Sequence, residues 1–530
     1  MERIVLIIAA VAVAAATSSA SARAAEKMNV LYVVSDDLCN RLACYGDPLA
    51  KTPNLDKLAA KGVRFDRAYC QYPLCNPSRA SFLTGLRPDT TKVLTNGPYF
   101  RDINPNIQTL PQTFQKGGYY VARVGKLYHY GVPTQIGTDG LDDPPSWQHR
   151  VNPRGADKDV EDQIHTLVPG QFGGVLSWLA VDGSDADQTD GKCAAETIKL
   201  LEANKDKPFF LACGFFRPHT PYVATKPFFE LYPLEKCNPA VVPSDHRATL
   251  PAAAFGSYKK EQDQLTDDVR REIIQAYYAS ISLMDAQVGK LLDALDRLGL
   301  ADNTIVVFHS DHGYHLSEHG LWQKQSIWEQ SARVPLLIYD PRAKGNGKSC
   351  GRTVELVDLH ATLADLCGLE APKTDGESVK SLLEDPAAAW EHPAFSQVLR
   401  GVAVGTFTAP DAKMKDPAAQ SSAASQTKPA AKPGKKAGAG GKKKTAAENQ
   451  AAAKKALADG KPAGGGKGKG FLGRAIRTER FRYIEWDEGR QGAQLYDHDA
   501  DPEEMKNLAD DPAFAEVRKQ LSARLRASYN

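Results

Sequence analysis

The sequence predicts an α/β protein: a large, mostly parallel sheet flanked by helices, followed by a smaller C-terminal α+β domain. Two observations predict this fold class. Short apolar, β-branched runs alternate with helical segments through most of the chain, a pattern typical of parallel sheets with helical crossovers. After a low-complexity stretch, two strand-like runs and one terminal helix follow, which predicts a second, smaller unit.

The first elements are a strand, a helix and a second strand. Residues 29–35 read NVLYVVS, a continuous apolar run typical of a strand buried on both faces. Thr52 and Pro53 predict a helix start, because Thr caps helices and Pro suits their first turn. This helix is expected to end near Gly62, and a second strand follows at Val63–Tyr69.

Later strands continue the alternation. Strand-like runs lie at 119–124, 209–214, 305–308 and 336–339. The longest helical segment between them covers 267–298. Strands separated by helices of this kind favour a mainly parallel sheet, because each helix carries the chain back to start the next strand in the same direction.

The composition changes near Gly401. Residues 408–470 contain fourteen Lys, four acidic residues and no aromatic residue, so they cannot bury enough apolar surface to fold. We therefore predict a large domain at 25–395 and a small domain at 396–530, with a disordered insertion at 408–470.

The small domain resumes after the insertion. Residues 474–477 and Phe481–Trp486 have the composition of paired strands. A terminal helix is predicted at 512–528. These elements complete the expected α+β unit.

Charge argues against a nucleic-acid partner. The whole chain carries a formal charge of +2, while residues 408–470 alone carry +10, from fourteen Lys and four acidic residues, so the remainder sums to −8. A mildly acidic folded body is not typical of a nucleic-acid binder. A bound anion would have to be held by a local cluster of positive groups.

The amino terminus predicts export. Arg3 precedes an apolar run at 4–16, and small residues with an Ala-Arg-Ala pattern at 22–24 follow. Thirteen apolar residues are fewer than the ~20 that a membrane-spanning helix needs. We predict a signal peptide at 1–24, a periplasmic or secreted mature protein and no stable membrane insertion.

The nine cysteines are expected to form disulfides in an exported protein, although an odd number leaves at least one unpaired. None belongs to a Cys-x-x-Cys pair, which argues against a zinc site or a redox dithiol. Cys75 is our candidate for the unpaired one. The pairing of the others cannot be derived from their spacing.

Acidic residues follow two of the predicted strands. Asp36 and Asp37 come directly after the first strand, and Asp311 with His312 comes after the strand at 305–308. In an open α/β sheet, ligands bind beyond the carboxyl ends of the strands. Each Asp could merely cap a loop, but carboxylates that converge there favour a hard cation such as Ca²⁺ or Mg²⁺.

The segment Cys75-Asn76-Pro77-Ser78-Arg79 is the most specific motif. Pro77 suits the first turn of a helix that continues to Gly85, so Cys75 lies at a helix N-terminus, where negative charge is favoured. Arg79 lies one turn later and can point to the same place. By itself the motif leaves open a buried structural thiol or a thiol nucleophile.

The motif and its surroundings resemble the sulfatase family, a branch of the alkaline phosphatase superfamily. Cys-x-Pro-Ser-Arg is followed by Leu-Thr-Gly at 83–85. Further segments similar to those of the family occur in the same order, and the resemblance covers almost the whole mature chain apart from the insertion. They are 33–37, 125–129, 217–221, 310–313, 318–324 and 495–504.

The resemblance implies a sulfuric ester hydrolase whose cysteine, here Cys75, is oxidised before folding to formylglycine (3-oxoalanine) by a formylglycine-generating enzyme. It also implies one Ca²⁺ per chain, and the side chains expected to hold it belong to Asp36, Asp37, Cys75, Asp311 and His312. A divalent ion of this kind polarises sulfate oxygens. A hydroxyl of the hydrated aldehyde would attack sulfur with help from Asp311.

The resemblance also implies roles for five basic residues. Arg79, Lys126 and Lys324 would neutralise the equatorial sulfate oxygens. His219, with Lys324, would protonate the leaving sugar oxygen, and His129 would remove the proton that allows sulfate to be expelled. His315 and His319 are interpreted as loop histidines without a catalytic role.

Within the family, the chain resembles the iduronate-2-sulfatase branch, which implies a 2-O-sulfated uronic acid at the end of a sulfated saccharide as substrate. The regions 147–174 and 228–254 are expected to line its pocket. Three alternatives stay open: a phosphodiester or phosphonate monoester hydrolase of the same superfamily, a non-catalytic glycan-binding relative, and a thiol that is never oxidised.

Overall fold

A computed structural model of the 530-residue chain describes residues 27–401 and 470–529. The predicted signal peptide at 1–24 lies outside the described residues, as does the predicted insertion at 408–470 apart from Gly470. No helix of these two described ranges is both long and apolar enough to cross a membrane.

The described ranges contain seventeen strands in four sheets. In chain order they are β1 (Asn29–Asp36), β2 (Val63–Tyr69), β3 (Tyr120–Gly125), β4 (His149–Val151), β5 (His165–Thr166), β6 (Ser177–Val181), β7 (Phe209–Pro218), β8 (Tyr222–Thr225), β9 (Thr304–Ser310), β10 (His315–Leu316), β11 (Trp322–Gln323), β12 (Arg333–Tyr339), β13 (Ser349–Glu355), β14 (Ala394–Arg400), β15 (Phe471–Arg477), β16 (Phe481–Trp486) and β17 (Ala493–Asp497).

The largest sheet has eight strands in the order β13-β2-β12-β9-β1-β7-β3-β4. All neighbouring strands are parallel except β12, which runs antiparallel to both β2 and β9. The predicted large, mostly parallel sheet is therefore confirmed. Two smaller sheets, β5-β6-β8 and β10-β11, lie in the connections of this part of the chain.

Strand β1 occupies the middle of the large sheet and is buried on both faces. Leu31 and Val33 pack into one hydrophobic core, while Val30, Tyr32 and Val34 pack into a second core on the other face. This arrangement explains why the strand is apolar without interruption. It also places the carboxyl end of β1 deep inside the molecule.

Helices cover both faces of the large sheet. Those described are α1 (Pro53–Lys61), α2 (Cys75–Thr84), α3 (Pro88–Thr91), α4 (Phe100–Ile103), α5 (Leu110–Lys116), α6 (Thr189–Asn204), α7 (Lys226–Glu230), α8 (Asp267–Arg297), α9 (Glu329–Ala332), α10 (Asp358–Leu366), α11 (Lys380–Glu384) and α12 (Ala515–Ala527). The longest, α8, begins after Thr266, whose hydroxyl oxygen accepts a hydrogen bond from the backbone N–H of Val269 at 3.3 Å.

A second, antiparallel sheet contains β14-β15-β16-β17, and α12 packs on β15 and β16. The predicted α+β unit, its paired strands and its terminal helix are confirmed. The indole N–H of Trp328 donates to the hydroxyl of Tyr496 at 3.1 Å and joins this unit to the large domain. Because β14 begins at Ala394, the small sheet starts close to the predicted boundary at 395/396, which stays a prediction.

The expectation of disulfides is wrong. All nine cysteines lie in the described residues, and all nine are unpaired thiols. Cys193 and Cys213 pack into one core of the large sheet, and Cys70 and Cys350 pack into the other. These cysteines act as small apolar core residues, a use of the side chain that compartment alone does not reveal.

Candidate active site

Two neighbouring parallel strands, β1 and β9, end side by side and bring four polar residues together. The backbone N–H of Asp37 donates to Oδ1 of Asp311 at 3.1 Å, and the backbone N–H of His312 donates to the same oxygen at 3.0 Å. Asp37 has a φ of 64°, a left-handed conformation that Asp adopts more readily than most residues. Asp36, Asp37, Asp311 and His312 are all buried.

Helix α2 begins at Cys75, as the motif predicts. Pro77 lies in its first turn, where the missing N–H of proline costs no hydrogen bond. Gly85 ends the helix with a φ of 72°, which favours glycine. The Cys75 side chain is fully buried at the N-terminus of the helix.

The sulfur of Cys75 lies among the polar residues of the two strand ends. Its Sγ is 3.1 Å from Nζ of Lys324, 3.4 Å from Nε2 of His312 and 3.8 Å from Oδ1 of Asp37. The structure therefore brings the residues that were predicted from three distant motifs into one cluster.

The cluster has a donor set that suits a divalent cation. Asp37, Cys75, Asp311 and His312 each offer a ligand atom, and these atoms lie within 4.8 Å of one another. A second, overlapping group adds Asp36 and His219 to Asp37 and Cys75. Two of the four ligand residues in each group are carboxylates, whose oxygens favour hard cations.

Two further details fit a cation at this place. Oδ2 of Asp37 is buried and has no hydrogen-bond partner within the described part of the chain, which is a costly state for a carboxylate oxygen. Nδ1 of His312 is 2.9 Å from the carbonyl of Gly313. This contact leaves Nε2 facing Asp37 and Asp311, at 3.3 and 3.5 Å, as in metal-binding histidines whose second nitrogen is held by a carbonyl.

Arg79 is bound on every side by the protein itself. Its Nη2 is 3.0 Å from Oδ1 of Asp36, and its Nε is 3.0 Å from Oδ2 of Asp311. Its Nη1 donates to the carbonyls of Lys126 and Leu127 at 2.7 and 2.9 Å. The side chain is completely buried and holds two carboxylates in place. Its expected role in neutralising sulfate oxygens stays a prediction.

The two predicted lysines approach the cluster from different loops. Lys126 follows β3, and its Nζ is 2.5 Å from Oδ2 of Asp36. Lys324 follows β11, and its Nζ is 2.5 Å from Oδ1 of Asp37. Both flanking residues of Lys324, Gln323 and Gln325, adopt left-handed φ values of 70° and 69°, so this short segment is held in a conformation that costs about 1 kcal/mol or more per residue.

Two contacts outside the cluster support the segment around Lys324. The guanidinium of Arg400, at the end of β14, donates to the carbonyl of Gln325 at 2.6 Å. The backbone N–H of Gln325 donates to the carbonyl of Pro73 at 3.1 Å. The small sheet therefore takes part in positioning Lys324.

Two of the predicted histidines lie at the edge of the cluster. Nε2 of His219 is 3.7 Å from Oδ2 of Asp37, and its Nδ1 is 2.6 Å from the carbonyl of Thr220. His129 is buried, and burial lowers its pKa to about 4 despite an opposing hydrogen bond with Cys75. His129 is therefore neutral at physiological pH and can accept a proton.

The pKa values of the cluster reflect competition between burial and charge. Burial opposes ionisation of Cys75, but Lys324 and Lys126 outweigh it and hold the thiol pKa well below its ordinary value. Burial also opposes ionisation of Asp36, whose pKa is nevertheless lowered, chiefly by Lys126. The site thus stabilises negative charge at the position of Cys75.

The pKa values of the neighbouring side chains Asp311 and His312 are both raised, which favours a proton on this pair. Burial raises the pKa of Asp311 to about 7, and the charge of Arg79 offsets it only in part. The pKa of His312 rises to about 9, because Asp311 outweighs the effect of burial. A cation among these carboxylates would displace that proton.

His315, which begins β10 and so does not lie in a loop as expected, and His319 make their contacts outside the cluster. Their lack of a catalytic role stays a prediction. Nε2 of His315 is 2.6 Å from the hydroxyl of Ser326. The ring of His319 stacks on Trp328 at a centroid distance of 4.2 Å, and its Nδ1 is 2.9 Å from Nε2 of His246. Both histidines pack the loop that carries Lys324.

One basic residue near the site was not identified from the sequence. Lys259 donates hydrogen bonds to the side-chain oxygen of Gln323 and to the carbonyl of Gly174. It belongs to a loop, and a single loop lysine gives no pattern that would distinguish it from a solvated one. Gly174 ends the region 147–174 that we predicted to line the pocket.

A family model described as "Sulfatase" matches residues 28–369. A second model, described as "N-sulphoglucosamine sulphohydrolase, C-terminal", matches residues 471–530. The two matches lie on the large domain and on the part of the small domain that follows the segment outside the described residues.

Known proteins are similar over most of the chain. An iduronate 2-sulfatase of Mus musculus is 37% identical, with 66% of this chain and 70% of that protein covered. A choline-sulfatase of Rhizobium meliloti is 32% identical, with 67% and 71% covered. The solved phosphonate monoester hydrolase of Agrobacterium radiobacter has the same fold, with a TM-score of 0.69, 23% identity, and 95% and 96% of the chains covered.

The family match spans more than half of the chain, and the fold carries the paired strand ends and the cysteine-led helix. The chain therefore belongs to the sulfatase family and is a sulfuric ester hydrolase.

Proposed function

We propose that this sulfatase uses formylglycine derived from Cys75, together with one Ca²⁺, to remove sulfate from a sulfated glycan, with a 2-O-sulfated uronic acid as the substrate. The observation that carries the proposal is the position of Cys75. Its sulfur lies at a helix N-terminus, 3.1 Å from Lys324 and 3.4 Å from His312, beside the buried carboxylates.

Asp36, Asp37, Asp311 and His312 would hold the Ca²⁺, together with the side chain at position 75. Two overlapping groups, which together contain three buried carboxylates and the imidazole of His312, support this assignment. So does Oδ2 of Asp37, which has no hydrogen-bond partner among the described residues. When bound, the ion supplies Lewis-acid polarisation of the sulfate oxygens.

Formylglycine at position 75 would supply, as its hydrate, an oxygen nucleophile and a second hydroxyl through which the aldehyde is restored. Burial of Cys75 supports oxidation before folding, because its side chain is completely shielded from solvent in the folded chain. A formylglycine-generating enzyme is accordingly the proposed maturation partner, acting on the unfolded or nascent chain.

Lys126 and Lys324 are the proposed charge-stabilising residues. Their ammonium groups flank Cys75 from two loops, and both lower the thiol pKa at that position. Positive groups placed in advance beside a reacting centre stabilise charge that develops in the transition state. Arg79, which holds Asp36 and Asp311, is proposed to add its positive charge to the same stabilisation.

Protons are assigned to three side chains. His219 lies at the edge of the cluster and is proposed to protonate the leaving sugar oxygen, assisted by Lys324. His129 is neutral because burial lowers its pKa, so we propose that it accepts a proton during release of sulfate. Asp311 is proposed to accept a proton from the nucleophile.

The similarity to an iduronate 2-sulfatase of Mus musculus supports the proposed substrate class. We also propose that the chain is exported to the periplasm or secreted, since Arg3 and the apolar run at 4–16 form a signal-like start. The domain limits at 25–395 and 396–530, with the insertion at 408–470, are proposed on composition.

A direct test compares ester classes. The chain, produced together with a formylglycine-generating enzyme, should release sulfate from 4-nitrophenyl sulfate and from a 2-O-sulfated uronate disaccharide. Matched phosphate and phosphonate esters should react far more slowly. Mass spectrometry of the peptide that contains Cys75 should show the aldehyde, and Cys75→Ala should abolish turnover. Faster hydrolysis of the phosphonate ester, or full activity with an intact thiol, would refute the proposal.

A further inference from the structure

Lys259 connects two loops at the edge of the active site. Its ammonium donates to the carbonyl of Gly174 and to the side-chain oxygen of Gln323. Gln323 directly precedes Lys324, whose Nζ is 3.1 Å from the Cys75 sulfur. The ammonium of Lys259 is therefore linked, through Gln323, to the segment that carries Lys324.

The position of Gly173 shows on which side of the site Lys259 lies. A Cβ atom at Gly173 would lie 3.6 Å from Cε1 of His219, so this backbone lies against the imidazole. The next residue, Gly174, accepts the hydrogen bond from Lys259. Because His219 is the proposed donor to the leaving oxygen, Lys259 lies on the side where the sugar would bind.

Among the described residues, Lys259 forms no ion pair. Lys126 and Lys324 form ion pairs with Asp36 and Asp37, whereas the hydrogen-bond partners of Lys259 are two neutral oxygens. Burial lowers the pKa of Lys259 to about 8, with smaller raising effects from Glu261 and Asp37 and a further lowering by Lys324. An anionic partner would stabilise a partly buried ammonium whose hydrogen-bond partners are neutral oxygens.

We propose that Lys259 binds the carboxylate of the sugar whose sulfate ester is hydrolysed, and so selects uronic acid substrates. The inference rests on the proposed function and adds a residue that determines specificity. An ammonium has three N–H donors, and two are directed at Gly174 and Gln323. The third N–H can donate one charged hydrogen bond to a carboxylate of the sugar that carries the leaving oxygen.

The test uses a matched pair of substrates. One is an unsaturated 2-O-sulfated uronate disaccharide, and the other is the same disaccharide with its carboxyl group reduced to an alcohol. Lys259→Gln keeps a donor for the Gly174 carbonyl but removes the charge. Lys259→Arg keeps the charge. Lys199→Gln, at an exposed position of α6, is the control.

We expect Lys259→Gln to lower kcat/KM about 30-fold for the carboxylated disaccharide, the loss of one charged hydrogen bond, and less than about 3-fold for the reduced one. Lys259→Arg should retain most of the preference, and Lys199→Gln should match the wild type. The ratio of the kcat/KM values for the two substrates is compared between variants, so that any general effect of a substitution on folding cancels.

Two outcomes would overturn the inference. An equal loss on both substrates would make Lys259 a structural link between loops. A wild type that hydrolyses 4-nitrophenyl sulfate but does not prefer the carboxylated disaccharide would refute carboxylate selection while leaving the sulfatase function intact. Failure of the wild type on every sulfate ester would instead refute the proposed function, and the inference with it.

Discussion

Lys126 and Asp36 form an ion pair with 2.5 Å between Nζ and Oδ2, and both side chains are completely shielded from solvent. The pair joins the end of β3 to the end of β1, two strands separated in the sheet by β7. A buried ammonium without a partner would be unstable, so Asp36 compensates the burial of Lys126.

Replacing Lys126 tests this relationship. Lys126→Met removes a positive group next to the reacting centre, and we expect kcat/KM to fall about 100- to 1000-fold, as with other preorganised electrostatic groups. Steady-state kinetics with 4-nitrophenyl sulfate measure the loss. Lys116→Met, at an exposed position of α5, is the control. Activity within 3-fold of the wild type would remove Lys126 from the mechanism, where about 3-fold corresponds to only ~0.7 kcal/mol.

The proposed acid, His219, is tested through the leaving group. A sugar alkoxide needs a proton as it leaves, whereas 4-nitrophenolate does not. We therefore expect His219→Asn to lower kcat/KM about 100-fold or more for a sulfated sugar and only slightly for 4-nitrophenyl sulfate. Parallel kinetics on the two esters give the ratio. Equal losses on both would assign His219 to positioning or metal binding.

Calcium removal has a readout that does not depend on turnover. Asp36, Asp37 and Asp311 are buried together, so a chelator should lower the thermal midpoint and abolish activity. Returning Ca²⁺ at about 100 times its Kd should restore about 2.7 kcal/mol of stability. Differential scanning calorimetry measures both states. The thermal midpoint of Asp37→Asn should change much less when Ca²⁺ is removed and returned. An unchanged midpoint in the chelated wild type would contradict the metal assignment.

The link between the two domains predicts a large stability effect. Arg482 of β16 is buried between Glu329 and Glu504, and Arg482→Met leaves both carboxylates without this partner. We expect a loss of about 3–5 kcal/mol in the free energy of unfolding, measured by urea titration. Arg490→Met removes an exposed ion pair and should leave stability unchanged. Similar results for both variants would show that the buried network is not stabilising.

His360 predicts a loss of stability in mild acid. Its Nε2 is 2.8 Å from the hydroxyl of Thr113 and its Nδ1 is 3.0 Å from the carbonyl of Thr84, which fits the neutral ring. Burial lowers its pKa to about 4, below the ordinary value of about 6.5. Between these values the unfolded chain binds more protons, so the free energy of unfolding falls as the pH falls.

Between pH 7 and pH 5, the free energy of unfolding should fall by about 2 kcal/mol more in the wild type than in His360→Gln. Urea unfolding at the two pH values measures the difference, so a general effect of the substitution cancels. His392→Gln, at an exposed position, is the control. An unchanged pH dependence in His360→Gln would contradict the buried, neutral assignment.

Local patterns predicted the elements that carry the cluster. The uninterrupted apolar runs of β1 and β9 reflect burial on both faces, and parallel neighbours must end at the same edge of the sheet. Pro77 and Gly85 mark the limits of α2 because each residue has a backbone preference that suits its place. These signals are local, so they can be derived without knowing the tertiary contacts.

Other features depend on contacts that no local pattern encodes. The direction of the Arg79 side chain follows from Asp36 and Asp311, which come from two different strands. The nine thiols are unpaired, and whether two cysteines come within bonding distance is decided by the tertiary structure. Lys259 becomes significant only because two loops meet at its ammonium. The antiparallel direction of β12 likewise interrupts an otherwise parallel order.

The hydrogen bond from Arg400 to Gln325 has a consequence for engineering. Arg400 is the last residue of the first strand of the small sheet, and its acceptor Gln325 directly follows Lys324. A chimera that takes this sheet from a relative therefore also replaces a residue that supports the catalytic lysine. Such chimeras should retain Arg400 and its acceptor as a unit. A recombinant large domain that ends before β14 would lack Arg400 and therefore this hydrogen bond.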